Sequence, residues 1–167
     1  MKRPEIVIVA AVAEKDRLIG DGLKLPWHIP EDLKHFKRLT VGKPMILGRR
    51  TFQSLVEQFG GPLKNRRHLV VTRNPGYATD QAEVFLSIDE AVSAAGDVDE
   101  LIIAGGASIY AYFLERADRM ELTIVEGDYE GDTYFPEFEH LIGTRYEIVR
   151  ADQRDGFRFM TYVARTP

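Results

Sequence analysis

Two kinds of apolar pattern alternate along this chain, one that fits strands and one that fits helices. Residues 6–13 (IVIVAAVA) are apolar at every position and rich in β-branched side chains, the pattern of a strand covered on both faces inside a sheet. From 14 to 26 no period is sustained, and Gly20, Asp21-Gly22 and Pro26 punctuate the run. That predicts a long irregular loop, of a length that in compact domains usually serves function, and makes it a candidate lid. Pro30 to Thr40 predicts a helix, with Pro at its start, acids in its first turn and Gly42 beyond its end. A strand follows over Pro44 to Gly48, then a helix over 51–59 that stops at Gly60-Gly61-Pro62. Next come a strand over 68–72, a short one over 83–85, a helix over 87–95 with Ser87 and Glu90 at capping spacing, and a strand over 100–104. Gly105-Gly106 turns that strand into a helix over 108–116, and strands over 119–125, 144–149 and 157–164 close the chain.

Strands and helices alternate through most of the length, and strands run consecutively at the end. The expected fold is α/β: a single domain over 1–167 with a central, mostly parallel mixed β-sheet, an antiparallel C-terminal strand and about four flanking helices. Ligands of such sheets bind beyond the carboxyl ends of the strands. A length of 167 residues with 44% hydrophobic positions allows a substantial core. No apolar run approaches the about 20 residues of a membrane span. Met1-Lys2-Arg3-Pro4-Glu5 opens no secretory signal pattern, so no leader and a cytoplasmic location are expected. The absence of cysteine excludes disulfides and thiolate sites. A net charge of −4 gives no general attraction to nucleic acid. His28, His35, His68 and His140 have no metal-ligand spacing; they read as surface or partly packed histidines, and no metal is expected.

The helix from Pro30 carries the sharpest chemical signal. At about 100° per residue, Leu33, Phe36 and Leu39 form one stripe with Asp32 in its middle, while Glu31 turns to the opposite side with His35 and Arg38. An acid on a buried face needs a hydrogen-bond partner, either ligand or nearby backbone, and burial pushes its pKa upward. Two strand exits, Gly48-Arg49-Arg50-Thr51 and Thr72-Arg73, place hydroxyl and guanidinium groups together and suggest a phosphorylated ligand. In Ala104-Gly105-Gly106-Ala107-Ser108 two glycines let backbone approach a diphosphate, although such turns also serve simple bending. Trp27, between Pro26 and Pro30, suits core packing as well as a site, and the aromatics of Asp132-Thr133-Tyr134-Phe135-Pro136 read as structural. No phosphate-loop or nucleophile-elbow motif supports an ATPase or acyl transfer.

In order and spacing, Val9–Ala13, Asp16-Arg17-Leu18-Ile19-Gly20, Leu25-Pro26-Trp27-His28-Ile29-Pro30-Glu31-Asp32, Phe36-Lys37, Gly48-Arg49-Arg50-Thr51-Phe52, Ile103-Ala104-Gly105-Gly106, Leu122-Thr123 and Gly131-Asp132-Thr133-Tyr134-Phe135-Pro136 resemble the dihydrofolate reductase family of chromosomal, bacterial type, over nearly the whole chain. The resemblance implies NADPH-dependent reduction of 7,8-dihydrofolate to tetrahydrofolate, feeding one-carbon metabolism and thymidylate synthesis. It implies a catalytic set of Asp32, Thr123, Trp27 and Leu25, with Asp32 on the pterin's amidine-like edge, Thr123 linked to it, and water carrying the proton to N5. For substrate it implies Val9, Ala10, Leu33, Phe36, Leu55, Tyr110 and Arg66, the last on the glutamate tail's α-carboxylate. For cofactor it implies Ala11, Ile19, Gly20, Leu25, Gly48, Arg49, Arg50, Thr51, Thr72, Arg73, Ala104, Gly105, Gly106, Ala107, Ser108, Ile109 and Tyr110. Arginines beside threonines suit a 2′-phosphate, the glycine pair is joined by a cis peptide in the family, and Asp132 helps hold the loop near Gly20. A monomer is implied.

The chain departs from the family in a longer segment after Leu55, which leaves Arg66 and Arg67 as alternatives for the tail carboxylate. Ala104 stands where a bulkier residue is common, and Leu86 where some relatives carry lysine. The competing readings are the riboflavin-pathway pyrimidine reductase of the same fold, against which Trp27 and Asp32 speak, and a pterin- or nucleotide-binding module without turnover.

Overall fold

A computed structural model describes residues 3–22 and 24–165. Met1 and Lys2 of the segment inspected for a leader, and Leu23 of the 14–26 loop, lie outside them. The strands are β1 (Glu5–Ala13), β2 (Leu18–Gly20), β3 (Pro44–Gly48), β4 (Arg67–Val71), β5 (Glu83–Phe85), β6 (Glu100–Ile103), β7 (Arg119–Val125), β8 (Thr133–Tyr134), β9 (Tyr146–Gln153) and β10 (Phe157–Ala164). The helices are α1 (Pro30–Thr40), α2 (Arg49–Phe59), α3 (Ile88–Ala95) and α4 (Ala107–Phe113), with one 3-10 turn at Glu139–Leu141. Eight strands form one sheet in the order β5-β4-β3-β6-β1-β7-β10-β9. β5 through β7 are parallel, β10 runs antiparallel to β7, and β9 antiparallel to β10.

The unbroken apolar run of β1 has its cause in this placement. Val7 and Val9 pack with Met45 and Ile102 beneath Phe36 and Leu39 of α1, while Ile6 and Ile8 join the larger core with Ile109 and Phe113 of α4 and Ala91 of α3. Both faces of the strand exclude water, so neither tolerates a polar residue. α1 and α2 thus cover one face of the sheet, and α3 and α4 the other.

The structure differs from the sequence expectations at several boundaries. α2 starts at Arg49, not 51, because Gly48 leaves β3 directly into the helix as its extended N-cap. α4 stops at Phe113 instead of 116; the chain tightens there, with the Arg116 and Ala117 amides both on the Phe113 carbonyl and the Tyr146 hydroxyl donating to Leu114 O at 2.5 Å. β9 covers Tyr146–Gln153 in place of 144–149: Thr144 and Arg145 are held in a turn by Leu141 O, while the polar Arg150–Gln153 stretch pairs with β10 at the sheet's edge. The 14–26 loop is not wholly irregular, since Leu18–Gly20 pairs antiparallel with Thr133–Tyr134. Of the two aromatics beside it, Phe135 is core but Tyr134 is exposed.

The far side of α1 also departs from expectation. His35 is buried, its ring stacked on Phe159 of β10 at 4.0 Å between centroids, because β10 covers the flank that a lone amphipathic helix would leave to solvent. Glu31 on the same side pairs with Arg154 from the β9–β10 turn. His68 is buried too, accepting the Leu63 amide at its Nε2.

The β2–β8 ribbon depends on one glycine. A Cβ on Gly131 would fall on the Gly20 carbonyl oxygen and 2.9 Å from Leu18 Cδ1. Gly131→Ala is expected to lower stability by roughly 1–3 kcal/mol in urea unfolding and to speed amide exchange over residues 18–22. An unchanged midpoint with unchanged exchange would show that the ribbon does not need this approach.

Candidate active site

Parallel strands bring their carboxyl ends to one edge of the sheet, and a cleft of about 1460 Å³ opens there. That exceeds the roughly 300–1,000 Å³ of a pocket for one small ligand, so the space suits two. Among the described residues that line it, only Asp32 and Asp89 are acidic, against Lys24, Lys37, Arg49, Arg50, Lys64, Arg66 and Arg73. The cleft is cationic although the protein carries a net charge of −4.

One half lies under α1. Pro30 supplies the first helical position without an amide to satisfy, and the turn that follows presents Asp32 to the cleft. Its side chain caps no backbone; Thr123 of β7 donates its hydroxyl to Asp32 Oδ1 at 2.6 Å. Thr123 is buried, and burial of Asp32 raises its pKa above the ordinary carboxylate value, with the Thr123 hydrogen bond pulling the other way. Val9, Ala10 and Ala11 form the floor, and Leu33, Phe36 and Leu55 the walls. Tyr110 also lines this region, its hydroxyl spent on Val9 O at 2.8 Å and burial raising its pKa.

The structure separates the two arginines at the outer end. Arg67 leaves the cleft for Glu83 on the surface, with Nε 2.5 Å from Oε2. Arg66 lines the cleft, its Nε is buried with no hydrogen-bond partner, and desolvation lowers its pKa. A buried donor without a partner is costly, and an entering carboxylate relieves it.

The other half is built from the exits of β3, β4 and β6. Gly105-Gly106 is joined by a cis peptide, the Gly48 amide donates to Gly105 O at 2.8 Å, and a Cβ on Gly106 would stand 3.1 Å from Thr51 Oγ1. Backbone therefore meets backbone at the cleft floor, with Arg49, Arg50, Thr51, Thr72, Arg73, Ala104, Ala107, Ser108 and Ile109 around it. Ile19, Gly20 and Leu25 reach it from the loop, and Leu25 is exposed. Asp132 stands outside the lining and fastens the loop: its amide donates to Gly20 O at 3.0 Å and its carboxylate accepts the Gly22 amide at 3.0 Å. The Gly22 amide, and after it the Thr133 hydroxyl, donate to this carboxylate and hold its pKa below the usual aspartate value.

Trp27 is likewise outside the lining. Its ring meets Tyr129 edge-on at 5.1 Å and packs with Val125, Phe157 and Phe159, so the packing alternative describes its place. His35, Asn74 and Ser87 line the cleft without having been expected there. Asn74 follows Arg73 and Ser87 caps α3, accepting the Glu90 amide at 3.1 Å, so adjacency to a strand exit was a usable signal for both; for His35 the signal was its place three residues after Asp32 on α1. Among the described residues no group of His, Cys, Asp or Glu could hold a metal, and no helix is long and apolar enough to cross a membrane.

An α/β sheet with a two-ligand cleft, a buried carboxylate in one half and arginines, threonines and close backbone in the other, defines a nucleotide-dependent enzyme class. The family described as dihydrofolate reductase matches residues 5–164. Dihydrofolate reductase HdrB of Haloferax volcanii is 43% identical over 96% of this chain and 84% of its own length. Dihydrofolate reductase type 3 of Salmonella typhimurium is 45% identical over 81% of each chain. A solved dihydrofolate reductase from Enterococcus faecalis, complexed with NADP(H) and RAB-propyl, superposes with a TM-score of 0.85 at 30% identity, covering 98% of both chains. The chain belongs to the dihydrofolate reductase family.

Thr123→Val removes the hydroxyl that favours the charged form of Asp32. Its titration in the pH–rate profile is expected to move upward. An unmoved profile would mean that the bond does not govern the carboxylate.

Proposed function

We propose that residues 1–167 form a single dihydrofolate reductase domain, a monomeric cytoplasmic enzyme that reduces 7,8-dihydrofolate to 5,6,7,8-tetrahydrofolate with NADPH. Family membership and the 2.6 Å bond from Thr123 to the cleft carboxylate Asp32 carry this reading. The monomer is read from family likeness and a mild net charge, and a cysteine-free sequence fits the reducing compartment that the cytoplasmic reading requires.

The donor set suits a phosphorylated dinucleotide. Arg49 and Arg73 with Thr51 and Thr72 offer guanidinium and hydroxyl groups to a 2′-phosphate, and the Gly105-Gly106 backbone leaves space that any Cβ on Gly106 would begin to fill. NADPH, when bound, supplies the hydride that reduces the pterin. Ala11, Gly48, Arg50, Ala104, Ala107, Ser108 and Ile109 complete that half, with Ile19, Gly20 and Leu25 covering it and excluding water when the loop is closed. Val9, Ala10, Leu33, Phe36, Leu55 and Tyr110 surround the pterin and its aromatic extension, and Arg66 takes the α-carboxylate of the tail.

Asp32 accepts hydrogen bonds from the pterin's amidine-like edge and polarises the ring toward protonation at N5, with water carrying the proton. Thr123 fixes the carboxylate's orientation from β7. Trp27 acts from outside the cleft lining, bracing the chain that enters α1 through Tyr129 and the Phe157–Phe159 cluster.

The direct test is the loss of reduced-nicotinamide absorbance with dihydrofolate, NADPH and NADH being run in parallel. Turnover favouring NADPH is the expected result; none despite NADPH binding would return the chain to the binding-module or riboflavin-pathway reading. Asp32→Asn is expected to keep NADPH binding and lose roughly a hundredfold or more in turnover at neutral pH, recovering partly in acid where the substrate is already protonated. An unchanged neutral rate would sink the role given to Asp32. The same variant has a stability signature. A carboxyl whose folded pKa is raised contributes stability fully below its unfolded pKa, and that contribution is lost as pH rises through the folded value. Asp32→Asn should therefore gain stability over the parent at pH 7 relative to pH 3, measured by urea unfolding at both.

A further inference from the structure

Arg49 opens α2 and lines the cleft, and its guanidinium carbon stands 5.6 Å from the centroid of the Tyr77 ring. Tyr77 is not itself among the residues lining the cleft. Its ring is held from below by the cluster of Leu47, Phe52 and Val70, which Leu55, Val56 and Ala82 also join. Its backbone is held by a compact turn leaving β4: Thr72 Oγ1 accepts the Asn74 amide at 3.1 Å, Asn74 Oδ1 accepts the Gly76 amide at 2.9 Å, and Asn74 O accepts the Tyr77 amide at 3.1 Å. Thr72, Arg73 and Asn74 of this turn line the same half of the cleft as Arg49. One short segment thus presents Arg73 to the ligand directly and carries, three residues on from Asn74, an aromatic face for the other arginine.

A long arginine side chain loses rotamer freedom when it clamps an anion, and a fixed aromatic face that already holds its guanidinium reduces that loss. Charge alone does not give this; position does. We infer that Tyr77 is a positioning residue for cofactor selection, holding the Arg49 guanidinium in place so that, with Arg73, it favours the 2′-phosphorylated dinucleotide over its unphosphorylated counterpart. This rests on the reading of Arg49 and Arg73 as the 2′-phosphate clamp.

The test compares wild type, Tyr77→Leu, Tyr77→Phe and Arg49→Ala by steady-state kinetics and by equilibrium binding of NADPH and NADH. Tyr77→Leu keeps an apolar side chain on the Leu47–Phe52–Val70 cluster and removes the ring. It is expected to raise the KM and Kd for NADPH about twofold to fivefold while leaving those for NADH and both kcat values at wild-type levels. Tyr77→Phe, which keeps the ring, should match wild type. Equal weakening of both dinucleotides, or no change in either, overturns the proposal, because a merely structural role does not distinguish them. If Tyr77→Leu does not fold, Tyr77→Met fills the same space without a ring and is read by the same ratio. Loss of NADPH preference in Arg49→Ala without loss in Tyr77→Leu overturns the Tyr77 role alone. Preference retained in Arg49→Ala overturns the clamp reading, and the proposal with it.

Discussion

A carboxylate removed from water must be met by a donor, and the hydrogen bond from Thr123 to Asp32 is the interaction around which this molecule is arranged. It spans 91 residues of sequence and ties α1 to the middle of β7, next to β1 in the sheet. The helix cannot shift along the sheet without breaking it. Phe36 and Leu39 fix the same helix to Val7, Val9, Met45 and Ile102, so packing sets the depth of α1 and the hydrogen bond sets its register. The carboxylate keeps a raised pKa because one hydroxyl offsets only part of its desolvation. Here the fold accepts a cost in stability at the position where the proposed reaction would use an acid that responds to its ligand.

A second constraint is the contact between the exits of β3 and β6. The Gly48 amide reaches Gly105 O, and Thr51 lies against Gly106, so the first turn of α2 and the start of α4 share one floor. Gly105 also carries a φ of +111°, with the Tyr110 ring 3.3 Å from where a Cβ would stand, so both backbone conformation and space restrict this position to glycine. Tyr110 in turn donates to Val9 O in the floor of the α1 half. The two halves of the cleft are therefore coupled through one buried tyrosine that touches both.

How much of this was legible in the sequence follows from where each signal is generated. The central strands and four helices could be read because burial leaves no polar residue in β1 after Glu5, and because Pro30, Gly60 and Ser87 carry their capping chemistry locally. Edge structure could not. β9 extends to Gln153 through charged residues that satisfy their backbone on β10 alone, and the β2–β8 ribbon pairs segments more than a hundred residues apart. His35 shows the same limit: helical phase puts it at the border of the Leu33–Phe36–Leu39 stripe, about 40° from Leu39, but no local pattern shows that Phe159 of β10 would bury it. Asp32 was legible as a misplaced acid, whereas its partner Thr123 came only from the family likeness, since no local pattern links positions on α1 and β7. The choice of Arg66 over Arg67 needed coordinates, because Arg66 lies in the turn before β4 and lines the cleft, whereas Arg67, the first residue of β4, turns away to Glu83.

The loop that covers the cleft has its own internal logic. Leu18 is fully buried and anchors the ribbon to the core, while Leu25, a few residues on, is exposed at the mouth. Between them the backbone is held by Asp132, whose amide and carboxylate grip Gly20 and Gly22, and by Thr133, whose hydroxyl donates to the same carboxylate at 2.9 Å. These bonds are exposed to solvent and individually weak, unlike the buried link at Asp32. The segment is anchored in the core at Leu18 but fastened only by a few surface bonds at Gly20 and Gly22, so its hold on the sheet weakens toward Leu25. The division matches the two demands that the proposed reaction would place on the cleft, since Asp32 and Thr123 are fixed by the core and the mouth beside Leu25 is not.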